Sequence, residues 1–230
     1  MALGAQPLAH PAAGGPVTAA FLGLLLLAGG SAPIPALDVP TEAYREAAAA
    51  GAVGTVAGRA VADPQRPGEP PASLADVSVT LVPRSSALLV ELDRIRTQAR
   101  REPDAFRSSA RAVARARQDF ERALAQAGTA DLVRFTTVEP DGAFVLERVP
   151  AGAWVLIAQR AVFVSKPGAP PSRRERESFG PRPHLTGYYA VTIWLRTLSV
   201  RPGESESVEL TDRNAWMRAI AEERGLDGGR

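Results

Sequence analysis

The sequence has 230 residues, a formal net charge of +2 and 45% hydrophobic residues, which suits one large domain or two modest ones. Its charged fraction of 23% is ordinary, so a wholly disordered chain is not expected. The lack of cysteine excludes disulfide bonds, thiolate metal sites and a cysteine nucleophile. Because the only histidines are His10 and His184, most zinc sites and catalytic triads also lack their parts.

An uncharged apolar run at residues 17–28 is typical of the core of a signal peptide. It is shorter than the roughly 20 apolar residues that a membrane-spanning helix needs. Small residues follow it, which allows cleavage after Ala32 or Ala36. No lysine or arginine precedes it, so a disordered leader on a cytosolic protein and an uncleaved membrane anchor stay open as alternatives. We predict that residues 1–36 are a signal peptide or N-terminal anchor, and that the protein is exported to the periplasm, cell envelope or medium.

A short helix is predicted from Thr41 to Ala50, and we interpret residues 37–52 as a spacer. From Val53 the pattern changes to the alternation of apolar and polar residues that is typical of strands. Seven strands separated by turn residues predict a mainly β domain at residues 53–211, folded as an antiparallel sandwich. The predicted strands are 53–61, 77–83, 133–137, 144–146, 154–164, 189–195 and 208–210.

Proline and glycine mark two of the turns. The segment Glu139-Pro140-Asp141-Gly142 suits a type I turn closed by a left-handed glycine, after which Phe144 resumes the strand pattern. We favour a structural role for Asp141 in this turn over a catalytic one. The residues expected to define the turns and the adjacent core are Gly58, Asp141, Gly142, Phe144, Pro150, Gly152 and Trp154.

These segments resemble a known family. Residues 54–61 (Gly-Thr-Val-Ala-Gly-Arg-Ala-Val) and 75–81 (Ala-Asp-Val-Ser-Val-Thr-Leu) resemble the opening of carboxypeptidase regulatory-like domains, and residues 141–156 match the second half of that pattern. The resemblance implies a seven-stranded transthyretin-like or Ig-like sandwich that serves as a non-catalytic accessory module on secreted or envelope proteins. The chain differs from the family by a long insertion and by Trp154, where tyrosine is common.

Three segments depart from the strand pattern. At residues 85–128 the apolar period is helical, which predicts an antiparallel helical hairpin inserted between two strands. We expect the sandwich to fold without this insertion. The polar loop 166–187 is expected to be mobile. In residues 212–230, Asp212 is expected to cap a C-terminal helix that buries Trp216 and Ile220.

Arginine is the informative polar residue. Ten arginines accompany six acids in residues 84–127. One interpretation is a docking surface for an anionic partner: an acidic protein, lipid head groups or, least favoured, nucleic acid. The other, which we favour, is a solvated helix face. The arginines considered for partner binding are Arg107, Arg111, Arg115 and Arg122 on the second helix and Arg173 and Arg174 in the loop.

The sequence contains no zinc motif, phosphate-binding loop, nucleophile turn or calcium loop, so no catalytic residue, cofactor or metal site is predicted. We predict a non-enzymatic interaction or scaffold protein that contacts a protein partner or an envelope surface. The alternative is a module that binds a small ligand or carbohydrate through exposed aromatic side chains, for which Tyr188, Trp194 and Trp216 are the candidates. The oligomeric state stays open.

Overall fold

A computed structural model describes residues 37–64, 66, 68–166 and 183–226. Within these residues the chain forms nine strands and three α-helices. The elements are α1 (Thr41–Ala49), β1 (Val53–Ala62), β2 (Ala72–Ser73), β3 (Ser78–Pro83), α2 (Ser86–Arg101), α3 (Pro103–Gln126), a 3₁₀ turn (Ala130–Leu132), β4 (Arg134–Thr137), β5 (Ala143–Pro150), β6 (Gly152–Ser165), β7 (Pro183–Val200), β8 (Ser205–Thr211) and β9 (Met217–Leu226). The predicted leader lies outside the described residues.

The strands form two sheets. In the first sheet β1 pairs with β2 and β5, and β8 lies parallel to β1. The second sheet has the order β4-β3-β6-β7-β9, with every pair antiparallel. The fold is therefore mainly β, as predicted, but the predicted count of seven strands was wrong, and one strand pair is parallel. The additional strands are the two-residue β2 and the edge strand β9.

The two sheets face each other across a buried core. The first sheet contributes Val56, Phe144 and Leu210, and the second contributes Leu156 and Trp194. All five are at most 2% exposed. The position of these side chains between the sheets accounts for the predicted alternation of apolar and polar residues.

The predicted C-terminal helix is wrong, because residues 217–226 form strand β9 along the free edge of β7. Met217 and Ala219 are buried, whereas Arg218 between them is exposed, which is the period of a strand. The residues are good helix formers, but so short a helix is marginal on its own. Pairing with β7 satisfies the hydrogen bonds of a long row of backbone groups and buries two apolar side chains. The strand is therefore favoured over the predicted helix.

Helices α2 and α3, here called the helical pair, cover the outer face of the second sheet. On this face Val155, Ile157 and Ile193 are at most 3% exposed, and they pack against Leu92 and Val113 of the helices. Strand β6 is consequently buried on both sides, as expected for a central strand. We expected the β domain to fold without the insertion. The packing of the helical pair argues against this, because the pair forms one wall of a core.

Helix α1 is a packed element, which corrects its interpretation as a spacer. Tyr44 is only 4% exposed, and its ring meets Trp154 edge-on, with 5.0 Å between ring centroids. The Tyr44 hydroxyl donates a hydrogen bond to the carbonyl of Ala153. Burial raises the pKa of Tyr44, and the neighbouring Arg84 only partly offsets this effect. The segment before β1 therefore belongs to the folded domain.

The predicted turn and core residues lie in two clusters. In the first, Gly142 has φ 87° and donates a backbone hydrogen bond to Glu139, while a carboxylate oxygen of Asp141 accepts one from Ala143 at 2.9 Å. Asp141 is thus engaged in the turn. Gly58 lies directly under the Phe144 ring, where a Cβ would come within 2.5 Å of ring carbon Cζ.

In the second cluster, the indole nitrogen of Trp154 donates to the carbonyl of Pro150 at 2.9 Å. Gly152, with φ 150°, lies so close to Tyr44 that a Cβ would meet its ring at 2.6 Å. The close contact of helix α1 with this corner therefore requires glycine.

Asp38 ties the chain before α1 to the first turn of α2. Its carboxylate accepts a hydrogen bond from the backbone N–H of Ala87 at 2.9 Å, beside the N-cap residue Ser85. Burial raises the pKa of Asp38, but hydrogen bonds from Ser85, Ala87 and Ser86 outweigh this and hold the pKa below its ordinary value. The carboxylate therefore stabilises the fold when it is ionised.

We expect Asp38→Asn to lower the free energy of unfolding by about 1 kcal/mol at neutral pH, as the loss of a helix-capping carboxylate does. A depressed pKa contributes stability that is present above the unfolded-state value of about 4 and is lost as the pH falls through the folded-state value. The difference from the parent should therefore shrink in acid, as measured by urea denaturation at several pH values. Glu42→Gln on the exposed side of α1 serves as the control, and an equal effect from it would contradict the assignment.

None of the described helices combines the length and the apolar character needed to cross a bilayer.

Candidate ligand-binding groove

A groove of about 300 Å³ lies where the helical pair meets the beginning of β9. Three segments that are distant in the sequence form its walls: the end of α2, the first turn of α3, and the residues around the start of β9. Its lining residues are Arg96, Ala99, Arg100, Phe106, Asp212, Ala215, Trp216, Met217 and Arg218.

The helical wall follows from local sequence. Arg96 and Arg100 are four residues apart, so the two side chains share one face of α2. A single residue, Glu102, separates α2 from α3, and Pro103 occupies the first turn of α3, where its missing N–H does no harm. This tight connection brings Phe106 of α3 to the same groove as the end of α2.

The opposite wall depends on a turn after β8. The side chain of Asn214 accepts a hydrogen bond from the N–H of Thr211 at 2.9 Å and donates one to the carbonyl of Glu209 at 2.9 Å. The N–H of Trp216 then donates to the carbonyl of Ile193 on β7 at 2.9 Å. These bonds fix the backbone on both sides of Trp216, so its indole has a defined position in the groove.

The central feature of the groove is a stacked pair. The guanidinium of Arg96 lies over the Trp216 ring, 5.0 Å from its centroid. An Nη atom of Arg96 also contacts the Asp93 carboxylate at 2.6 Å. Its buried Nε has no hydrogen-bond partner within the described part of the chain. The cation–π contact and the ion pair therefore hold the guanidinium in place, and only one of its five N–H groups is engaged within the described residues.

The remaining groups make the groove amphiphilic. Phe106 is 38% exposed, which is high for a phenylalanine. Arg218 lies 4.0 Å from Asp212, a long contact between two largely exposed side chains that contributes little to stability. Apolar ring surface beside several fixed polar groups is the usual composition of a small-molecule site.

Two other cavities have fewer groups that could bind a ligand. One, of about 270 Å³, lies beside Tyr44 and Arg84, but the Tyr44 hydroxyl is already bonded to the protein backbone. Another, also about 270 Å³, lies beside Glu147, Arg148 and Glu204, without an aromatic side chain. Nowhere in the described residues do three histidine or acidic side chains gather as metal ligands would.

The predicted arginine surface lies outside the groove, and much of it is engaged within the protein. Arg107 contacts Asp104 at 2.7 Å and Glu222 at 3.7 Å, and Arg111 donates to the backbone carbonyl of Glu222. These contacts attach α3 to β9. Arg122 forms an ion pair with Asp119 on the same helix, and Arg115 is exposed. Both observations agree with the favoured interpretation of a solvated helix face. Arg173 and Arg174 lie outside the described residues.

The predicted aromatic residues have different environments. Trp194 is fully buried and donates to the carbonyl of Thr211 at 2.7 Å, so it cannot contact a ligand. Tyr188 is half-buried, and Trp216 alone of the three lines the groove. Phe163 and Tyr189 are exposed aromatic residues that were not among the predicted candidates. They are cross-strand neighbours, and their ring centroids lie 5.2 Å apart. The pairing of the two predicted strands that carry these residues, 154–164 and 189–195, was the signal that could have identified them.

No protein-family model and no curated protein sequence matches the chain. Among solved structures, a Pseudomonas aeruginosa protein described as a candidate carbohydrate-binding protein is similar over 70% of this chain and 88% of its own, with 15% identity and a TM-score of 0.39. The pilus backbone of Streptococcus pneumoniae is similar over 69% of this chain and 41% of its own, with 12% identity and a TM-score of 0.23. At these TM-scores neither likeness decides a fold type or a function, and the resemblance to carboxypeptidase regulatory-like domains stays a prediction.

Proposed function

We propose that this chain is a non-catalytic binding module that holds a small ligand in the groove beside Trp216. The observation that carries the proposal is the Arg96–Trp216 stack, a guanidinium fixed over an indole with only one of its five N–H groups engaged within the described residues. Holding such a group in place at an open groove reduces the side-chain entropy that a ligand would otherwise have to remove. A groove of about 300 Å³ lies at the lower end of the range for small-molecule sites.

The proposal follows the alternative from the sequence rather than the scaffold role. We further propose that the module is exported, on the basis of the apolar leader at residues 17–28, and that it is an accessory domain of the carboxypeptidase regulatory-like type. N-terminal sequencing of the protein from fractionated cells tests export, since an intact leader in the cytosol would contradict it.

Trp216→Ala is expected to weaken ligand binding at least about tenfold, because it removes ring surface and releases Arg96. The full chain would be titrated with a panel of neutral and acidic sugars and small organic acids. Isothermal titration calorimetry measures binding by both the parent and Trp216→Ala. Tryptophan fluorescence adds a local readout in the parent, since Trp154 and Trp194 are 0% exposed and only Trp216 lines the groove. Phe135→Ala is a matched control, because Phe135 is 62% exposed and lies on β4 away from the groove. Binding that survives Trp216→Ala unchanged would refute the site.

The interaction role remains a second candidate because of one observation. Phe163 and Tyr189 are 48% and 39% exposed and pair across two strands, which forms an apolar patch of the kind that protein contacts use. The joint substitution Phe163→Ser and Tyr189→Ser separates the two roles. It should leave groove binding unchanged and should abolish a protein contact if that patch is the functional surface.

A further inference from the structure

We infer that the groove selects a carboxylate-bearing sugar of the uronic acid type. This inference rests on the proposed function, because it names the ligand class of the same groove. Three features carry it: the sign of the charge in the groove, the fork geometry of its cations, and the presence of one acceptor among them.

The residues that line the groove carry a net positive charge, although Arg218 lies near Asp212 and Arg96 pairs with Asp93. Arg96 and Arg100 project from α2, and Arg218 faces them from β9, whereas Asp212 is the only acid among the lining residues. Cations that converge from two sides raise the local concentration of anions and favour their capture. The stacked Arg96 is the most ordered of the three, because Trp216 and Asp93 both hold it.

All three cationic residues of the groove are arginines, which favours the binding of a carboxylate over that of a small spherical anion. A guanidinium presents its N–H groups in a planar fork that matches the two oxygens of a carboxylate. Arg96 engages only one of its five N–H groups within the described residues, through an Nη atom on Asp93, and Arg100 and Arg218 line the same groove.

The other groups favour a sugar ring over an aromatic acid. Phe106, which is 38% exposed, offers apolar surface for the C–H face of a ring, beside the half-buried Trp216 that Arg96 covers. Asp212 is an acceptor, and its side chain is 40% exposed. An aromatic acid would bring its charge near this carboxylate with no hydroxyl to donate, whereas a uronic acid supplies hydroxyl donors as well as its own carboxylate. A single ring with both groups therefore fits the complete set.

The test compares trigalacturonate with its fully methyl-esterified form, which has the same rings but no charge. The full chain should bind the acid at least about tenfold more tightly than the ester, and added salt should reduce the difference. Arg218→Gln and Arg100→Gln should each bring acid binding toward the level of the ester. Arg115→Gln, an exposed substitution on α3 outside the groove, should change nothing.

The outcomes separate the inference from the proposed function. Equal binding of acid and ester, with Trp216→Ala weakening both, would overturn the acidic ligand while the groove remained a binding site. Benzoate or inorganic phosphate that competes as well as monomeric galacturonate would overturn the sugar class. If trigalacturonate did not bind but other panel compounds bound in a Trp216-dependent manner, the inference alone would fail; if no compound of the panel bound, both would fail.

Discussion

Replacing Trp154 with alanine is expected to destabilise the protein by about 3–5 kcal/mol, a large part of the whole stability of an ordinary domain. Trp154 and Trp194 are the largest fully buried side chains among the described residues, and Trp154 joins three parts of the fold. Its ring contacts Tyr44 of α1, its indole N–H donates to the carbonyl of Pro150, and its own strand is central in the second sheet. The substitution therefore leaves a cavity and an unpaired carbonyl together.

Chemical denaturation followed by circular dichroism measures this effect. Trp216→Ala is the matched control, because it removes the same side chain from a half-buried position and should lose less than about 2 kcal/mol. The control also establishes that the groove variant used for ligand titration is folded. Equal losses from the two variants would contradict the role given to Trp154.

The mainly β, two-sheet fold was predictable where local chemistry decides the conformation. Pro140, Asp141 and Gly142 form the turn that their residue types demand, with glycine at positive φ and the aspartate bonded to a following N–H. The alternation through Phe144 also identified the buried face of β5. In each case the neighbours in the sequence carry the information.

Where tertiary contacts decide, the sequence was misleading. Residues 217–226 have helical composition, yet they add a strand because β7 presents an unpaired edge. Tyr44 looked like part of a spacer helix because its partner, Trp154, lies more than a hundred residues later in the chain. Sequence periodicity cannot register a partner at that distance.

The groove was unpredictable for the same reason. Arg96 and Arg100 looked like ordinary surface arginines of a helix, and Trp216 was assigned to a helix that does not exist. Only the pairing of β9 with β7 brings Trp216 beside α2, since it places Met217 opposite Ile193. Two of the conspicuous arginines of α3, Arg107 and Arg111, instead contact β9 and help to hold it in that position. Because a helix was predicted where the structure has strand β9, neither the groove nor the structural role of these arginines could be predicted.

Leu92→Ala in α2 is the second substitution for which we expect a large loss, about 2–5 kcal/mol, because Leu92 is 1% exposed between the helical pair and the second sheet. Val90→Ala, two residues away and 69% exposed, should change stability by no more than about 0.5 kcal/mol. If the helical pair is a wall of the core, unfolding measured in a Trp216→Phe background, where only the buried Trp154 and Trp194 fluoresce, should shift in fluorescence together with far-UV circular dichroism. If it is an appendage, Leu92→Ala would lower only a separate helical transition and leave the fluorescence transition unshifted. The packing of Val155 and Ile157 under the helices favours the first result, because exposing these residues would leave an apolar face on the central strand of the sheet.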